Sequence, residues 1–453
     1  MTFKITRAAA AGVALVSAGA LLAGCSATGA DDASDGTATV TVAIDAGLEP
    51  EARENFDARV EAFEQANEGI TIEAQEYTWT GTTFAADLAG GTLPDVFTIP
   101  FTDGRGLIAG GQLADISALV AELPYADEFN PNVAQAGQAA DGSQWAIPIA
   151  AYGQGLHYNR TLFEAAGLDP DNPPTTWEEV REAADAISEA TGEAGYATMT
   201  SSNTGGWILT TLVDAFGGRT ESDDASAPEV DSAEVAEVLE YLHAMRWDDD
   251  SMGSNFLYDW STINQDFAAG RIGMYVSGGG NYGNLITQNA LNPDDYGLTT
   301  LPLTGDDPGL LGGGTLAAVS PKASEAEQAA AVKWIDYYYM AKIADEDEAV
   351  ATAKLAASLD QPVGAPELPV FGADQYAEYQ GWISPYVNVP VDQMAPYTDA
   401  IFDQPLVAEP RVATQEVYAL LDSVVQAVLT DQNADIPALL AGVQAQAEAL
   451  YAR

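Results

Sequence analysis

The sequence predicts an α/β protein of two lobes, each a sheet flanked by helices, joined by a hinge that the chain crosses two or three times. Three observations carry this. The first third alternates strand with amphipathic helix, as where Val40, Val42 and Ile44 precede a helix burying Ala52, Phe56, Val60 and Phe63. Near residue 150 a buried strand (145–149) meets Tyr152-Gly153-Gln154-Gly155, which bends freely, and the chain is extended again over 156–159. A new αβ unit follows at once, and 453 residues suffice for two cores.

The chain opens with Lys4 and Arg7, an apolar run over 8–23, and Leu22-Ala23-Gly24-Cys25. This reads as a secretory signal over 1–24, too short and wrongly flanked for a lasting membrane span. Residues 25–38 are small and acidic and suit a flexible tether. Sixty-eight acids stand against 16 bases, a formal net charge of −52. That excludes the basic footprint a nucleic-acid partner requires, and it sets the body against anionic lipid surfaces.

After the first helix, which ends at Gly69, Ile70 and Ile72 begin a second strand leading to Tyr77 and Trp79. A helical turn from Ala85 stops at Gly90-Gly91, and Leu93-Pro94-Asp95-Val96-Phe97 is the next strand. The loop after it, 98–103, leaves a strand's carboxyl end, where ligands sit in open α/β sheets. Past the crossing, Thr161-x-x-Glu164 and Thr176-x-x-Glu179 read as capping boxes. The second helix buries Val180, Ala183, Ala184 and Ile187, and Gly167 closes the first. Further helices run over 207–216, through Val235, Val238, Leu239 and Leu242, and through Ile263 and Phe267. Residues 272–276 and 298–303 are strands, and Ser324-x-x-Glu327 caps the helix after 312–320. Residues 361–410 show little periodicity; helices return through Val417 to Val428 and from Pro437.

The segment IPIAAYGQGLHYNRTLFEAAGLDPDNPPTTWEEV, residues 147–180, resembles the hinge crossing of the extracellular solute-binding proteins of bacterial ABC importers, in the sugar-binding, maltose-binding-protein-like branch. The Pro94-Asp95-Val96 strand and FAAGRIGMYVSGGG (267–280) continue the likeness, and Leu22 to Cys25 is similar to a lipoprotein lipobox. The resemblance implies a type II periplasmic-binding-protein fold, with 39–150 plus 304–345 as one lobe and 151–303 plus 346–453 as the other. It implies capture of a sugar, an oligosaccharide, by hinge closure, delivery to ABC permease subunits, and a monomer held at the cell membrane by lipid on Cys25. No chemistry and no cofactor are implied, and with Cys25 acylated no thiol remains for catalysis, metal or disulfide. The implied cleft takes Asp103 after the Pro94-Asp95-Val96 strand, Tyr152, Gly280, Asn281, Tyr282 and Gly313. Trp79, Trp207, Trp260 and Trp382 join it through nearby motifs.

Aromatic residues suit such a cleft because sugar rings offer C–H faces for stacking, while their buried hydroxyls require planar polar partners. Trp177, inside a helix, reads as packing. Gly278-Gly279-Gly280-Asn281-Tyr282-Gly283 matches a dinucleotide fingerprint but lacks the acidic residue that should follow. The run Asp248 to Asp259 is a damaged calcium loop, since Met252 replaces an oxygen ligand. His157 and His243 lack ligand spacing, so no metal site is assigned. Two other classes stay open: a secreted glycoside hydrolase, because carboxylates abound, and a binder of cationic solutes such as polyamines.

Overall fold

The computed structural model describes residues 37–48, 50–80 and 83–452; the signal, Cys25 and nearly all of the tether lie outside them. Nine strands form the sheet system: β1 (Ala38–Ile44), β2 (Ile70–Glu76), β3 (Val96–Pro100), β4 (Ile147–Asn159), β5 (Ala194–Tyr196), β6 (Ile272–Gly278), β7 (Tyr296–Thr299), β8 (Leu310–Val319) and β9 (Leu406–Val407). Their order is β2-β1-β3-β8-β4-β6-β5, with β7 on β4 and β9 on β8. β1 is parallel to β2 and β3, so each link between them must cross over, through helices Pro50–Ala66 and Phe84–Gly90. Gly91 ends the second of these at φ 72°, a left-handed position that costs glycine little.

The hinge is a change of partners along one strand. Ile147 to Gly153 of β4 pair with β8, and Gln154 to Asn159 pair with β6 and β7. The expected bend at 152–155 is therefore a correction: β4 continues as one strand through it, its irregularity lying between Pro148 and Ala150. Gly153 and Gly155 serve close packing, because an added Cβ would lie 2.7 Å from Leu310 Cδ2 and 2.9 Å from Leu298 Cδ1. Asn159, not Thr161, caps the next helix, its side chain accepting from the Leu162 amide, while the Thr161 hydroxyl donates to Asp295. The capping boxes at Thr176 and Ser324 form as read. The strand expected over 298–303 is Tyr296–Thr299, paired with β4.

One apolar cluster covers a single face of the first lobe's sheet: Val40, Val42, Phe56, Phe63, Val96, Ala317, Val319 and, at its centre, Trp334. The larger cluster fills the second lobe and reaches through the hinge to the opposite face of the first sheet, at Phe97, Ile99 and Leu316. Strand alternation explains the division, since neighbours along a strand point to opposite faces. Segment 370–372, expected in the second lobe, is hydrogen-bonded to residues 128–130 of the first. The Asn130 amide donates to Val370 O and the Gly372 amide to Glu128 O, both at under 3 Å, tying that segment to the first lobe.

Candidate functional site

The carboxyl ends of β1, β2 and β3 face one way, and the chain leaving them lines a cavity of about 370 Å³. Its walls are Asp45, Tyr77, Thr78, Trp79, the segment 98–100, Gly314 and Thr315. Tyr77 and Trp79 are half-buried, and the Tyr77 hydroxyl and the Trp79 indole N–H, themselves buried, have no partner among the described residues. A buried polar atom left unpaired costs about 1–3 kcal/mol. Burial, foremost, and the nearby Asp87 charge hold the Tyr77 phenol above its ordinary range. It therefore remains a neutral donor.

Beside this cavity the hinge strands carry Tyr152, paired with Gly313. The Tyr152 ring lies across that glycine, where an added Cβ would sit 2.6 Å from its hydroxyl. Burial and then the Glu409 carboxylate push the Tyr152 phenol up. Burial also raises the Glu409 carboxyl, which accepts from Tyr418 Oη at 3.4 Å. Trp207 stands half-buried on the first turn of helix Thr204–Ala215. That helix begins after Ser202 and Asn203, both at positive φ, a strained entry held by Asp422 accepting from the Asn203 and Gly206 amides.

The remaining expected residues are spread out. Asp103 is half-buried on the first turn of helix Phe101–Ala109, beside Thr102, and burial raises its carboxyl. Gly280 is exposed, with Glu367 Cγ 3.6 Å from where its Cβ would stand. Asn281 is turned inward, donating to Asn264 Oδ1 and Tyr275 Oη. Tyr282 is 1% exposed with its ring 5.0 Å from Tyr296, a core position that leaves no free face. Trp382 packs on the small Ala349, Ala353, Val363 and Ile383 cluster, and Trp260 is 39% exposed at the start of its helix. Trp177 stacks on Phe216, as read. Asp249 and Asp250 pair with Arg181 and Arg246, and Asp259 caps a helix, so the calcium-like run is occupied by its own structure. Thr98 lies in the expected loop 98–103, whereas Asp45, Tyr77, Thr315 and Glu409 escaped the sequence reading. For Asp45 the signal was available: it follows a strand's carboxyl end.

A second space between the lobes, of about 320 Å³, lies against Phe101, Gln135, Asp214, Arg219, Gly312 and Val407. Gly312 and Gly313 alternate along β8, so Gly312 faces away from the Tyr152 ring that lies across Gly313. Asp214 is buried there, with Oδ1 4.0 Å from Arg219 and Oδ2 unpaired. Burial raises its carboxyl well above the usual range, with Arg219 opposing. A raised value means the folded state holds the proton longer, so stability falls as pH climbs from the usual carboxylate range toward the raised value. Asp214→Asn should accordingly gain on the order of 1–3 kcal/mol at pH 7 and little at pH 3. Urea melts at both pH values check this; an equal effect at each would refute it.

Comparison with known proteins places this geometry. The bacterial extracellular solute-binding protein family matches residues 46–344. A binding protein of Brucella abortus is 31% identical over 143 residues, 30% of this chain and 33% of that protein. The sn-glycerol-3-phosphate-binding periplasmic protein UgpB of Agrobacterium fabrum is 26% identical over 214 residues, 45% of this chain and 47% of the relative. These matches thus span a third to a half of the relatives' own length. Among solved structures, the cyclic alpha-maltosyl-1,6-maltose binding protein of Arthrobacter globiformis superposes at TM-score 0.65 and 23% identity, over 92% of this chain and 99% of that one. MalE of Xanthomonas citri gives 0.67 at 17% identity, over 92% and 98%. Mycobacterium tuberculosis UgpB, in complex with glycerophosphocholine, gives 0.64 at 15% identity, over 92% and 99%. At these identities the structures establish the two-lobed fold. The match over 46–344, more than half of the sequence, establishes the rest: this chain belongs to the bacterial extracellular solute-binding proteins.

Proposed function

We propose that the chain captures a sugar, an oligosaccharide, between its lobes, closes on it about β4, and delivers it to the permease of an ABC importer. The observation that carries this is the cavity at the strand ends, walled by the half-buried aromatic residues Tyr77 and Trp79. Among the described residues the cavity is lined by Asp45 and by no basic residue, which disfavours the phosphate that the UgpB relatives' name implies. Closure needs only that the ligand bind the closed form more tightly than the open one. Lipid on Cys25 anchors the protein outside the cytoplasm, and the chain works as a monomer. Among the described residues no helix is long and apolar enough to cross a membrane, consistent with an anchor of that kind.

The test is a thermal-shift screen of the mature chain with sugars, spermidine and glycerol 3-phosphate. A sugar at 100 times its dissociation constant adds about 2.7 kcal/mol of stability. Trp79→Ala should remove most of that shift while leaving the unliganded melting point nearly unchanged. A shift with glycerol 3-phosphate and none with sugars would refute the reading. Asp45 in the cavity wall favours one second reading, a cationic solute, and the spermidine arm decides it. Recovery of the sugar intact rather than cleaved separates binding from hydrolysis.

A further inference from the structure

Trp207, one of the residues expected in the cleft, stands on the first turn of helix Thr204–Ala215, and the segment 200–206 that starts this helix is held from two sides. On one side the Thr200 and Ser201 amides both donate to Tyr258 O, at 2.8 and 3.1 Å. The Ser201 hydroxyl donates to the same carbonyl. On the other side runs helix Thr414–Thr430, which reaches the segment with three side chains. Gln426 donates to Thr200 O, Gln415 accepts from the Asn203 side chain, and Asp422 accepts from the Asn203 amide at 2.7 Å and the Gly206 amide at 2.8 Å. Positions 415, 422 and 426 are spaced by seven and four, which puts them on one face of their helix.

Of these contacts, the carboxylate acts where the backbone is least at ease. Ser202 and Asn203 both lie at positive φ, 59° and 67°, a region that persists in residues with a side chain only when the surroundings hold it. The helix beyond has little room to adjust, since a Cβ on Gly206 would lie 2.3 Å from Tyr418 O. Asp422 is 7% exposed and uses both oxygens here, in bonds from N–H to carboxylate, the stronger kind. It also sets a negative charge against the positive end of the helix that carries Trp207. Without Asp422 the left-handed pair loses the bonds that offset its strain, and the first turn can move with Trp207 on it.

We propose that Asp422 is a positioning residue for ligand capture: through the segment 200–206 it fixes where Trp207 stands in the cleft, without touching ligand itself. This rests on the chain being a sugar binder. The experiment is isothermal titration of the mature chain with maltose, maltotriose, cellobiose and lactose. The proteins are wild type, Asp422→Ala, Asp422→Asn, Trp207→Ala and the variants combining Trp207→Ala with each Asp422 change. Asp422→Ala should weaken the sugars that wild type binds by about tenfold. Asp422→Asn, which keeps the shape and one acceptor oxygen, should weaken them less, and it carries the same comparison if Asp422→Ala does not fold. In the Trp207→Ala background neither change at 422 should have a further effect, because Asp422 acts through that residue. An equal loss in both backgrounds means general damage to the lobe and overturns the proposal. Hydrogen exchange reads the same point without ligand: the Asn203 and Gly206 amides should exchange faster in the 422 variants, with helix Ala233–Trp247 as in wild type. Unchanged exchange at 203 and 206, or unchanged affinity, overturns the positioning role and leaves the sugar reading standing. Wild type binding none of the four sugars overturns both.

Discussion

Trp334→Ala is expected to cost about 3–5 kcal/mol, the range for emptying a buried tryptophan site. Trp334 is 1% exposed and sits within an aromatic group: Phe63 meets it edge-on at 5.2 Å, Phe56 at 5.9 Å, and Tyr338 stacks at 4.9 Å. Those rings come from the helix after β1 and the helical segment after β8, so the indole joins the two layers of chain covering one face of the first sheet. Domains retain only about 5–15 kcal/mol in total, so the loss is a large share. It should also be uneven. The cluster around Trp334 belongs to the first lobe, and the second lobe has a core of its own. Urea unfolding of the variant should show the first lobe opening early, with ligand binding lost at that step. A single transition within 1 kcal/mol of the wild type would refute this.

The second large effect is loss of stability in acid through His157. The ring is fully buried, with Nε2 3.2 Å from Ser277 O and 3.1 Å from Gly278 O, and Nδ1 2.8 Å from Tyr296 Oη. Two carbonyls can only accept, so Nε2 carries the proton and Nδ1 accepts from the tyrosine. A proton on Nδ1 would break that bond and charge a buried ring. Burial lowers the group from 6.5 to about 4, with the two carbonyls opposing. A depressed value means the unfolded chain takes the proton first, so stability is full above pH 6.5 and drains as pH falls toward 4. The size is about 3 kcal/mol, at 1.36 kcal/mol per pH unit. Asp214 and Glu409, whose carboxyls are raised, change in the opposite sense, so the effect must be read as a difference between proteins. His157→Gln should be less stable than wild type at pH 7, and that gap should shrink by about 3 kcal/mol by pH 4. A gap constant with pH would show that His157 does not titrate as described.

Much of the fold was legible because helix and strand periods are local. The helix with Val180, Ala183, Ala184 and Ile187 buries those four residues, and its Thr176 box forms, because capping and amphipathicity depend on neighbours three or four positions away. Thr161-x-x-Glu164 shows where local reading fails. The same pattern was present, but Asn159 took the cap because its amide reaches the Leu162 N–H, and pairing with Asp295 drew Thr161 elsewhere. The glycines of β4 were misread for a related cause. A glycine admits a bend or a close neighbour equally well, and here Leu310 and Leu298 are the neighbours.

The family resemblance implied one cleft for Tyr152 and Gly313, and the two residues are paired across β4 and β8. It also singled out Trp79 at the end of a strand, and the fold puts that residue at the cavity. Tyr282 and Asn281 follow a strand end just as plausibly, yet their side chains point into the second lobe at Tyr296 and Asn264. By itself the sequence determined the α/β class, most strands and helices, and the neighbourhood of the crossing. Only the tertiary structure decided which aromatic residues are filled by packing and that residues 369–372 are hydrogen-bonded to residues 128–130 of the first lobe. A side chain is free or filled according to what packs against it from distant parts of the chain, and local periodicity carries no record of those partners.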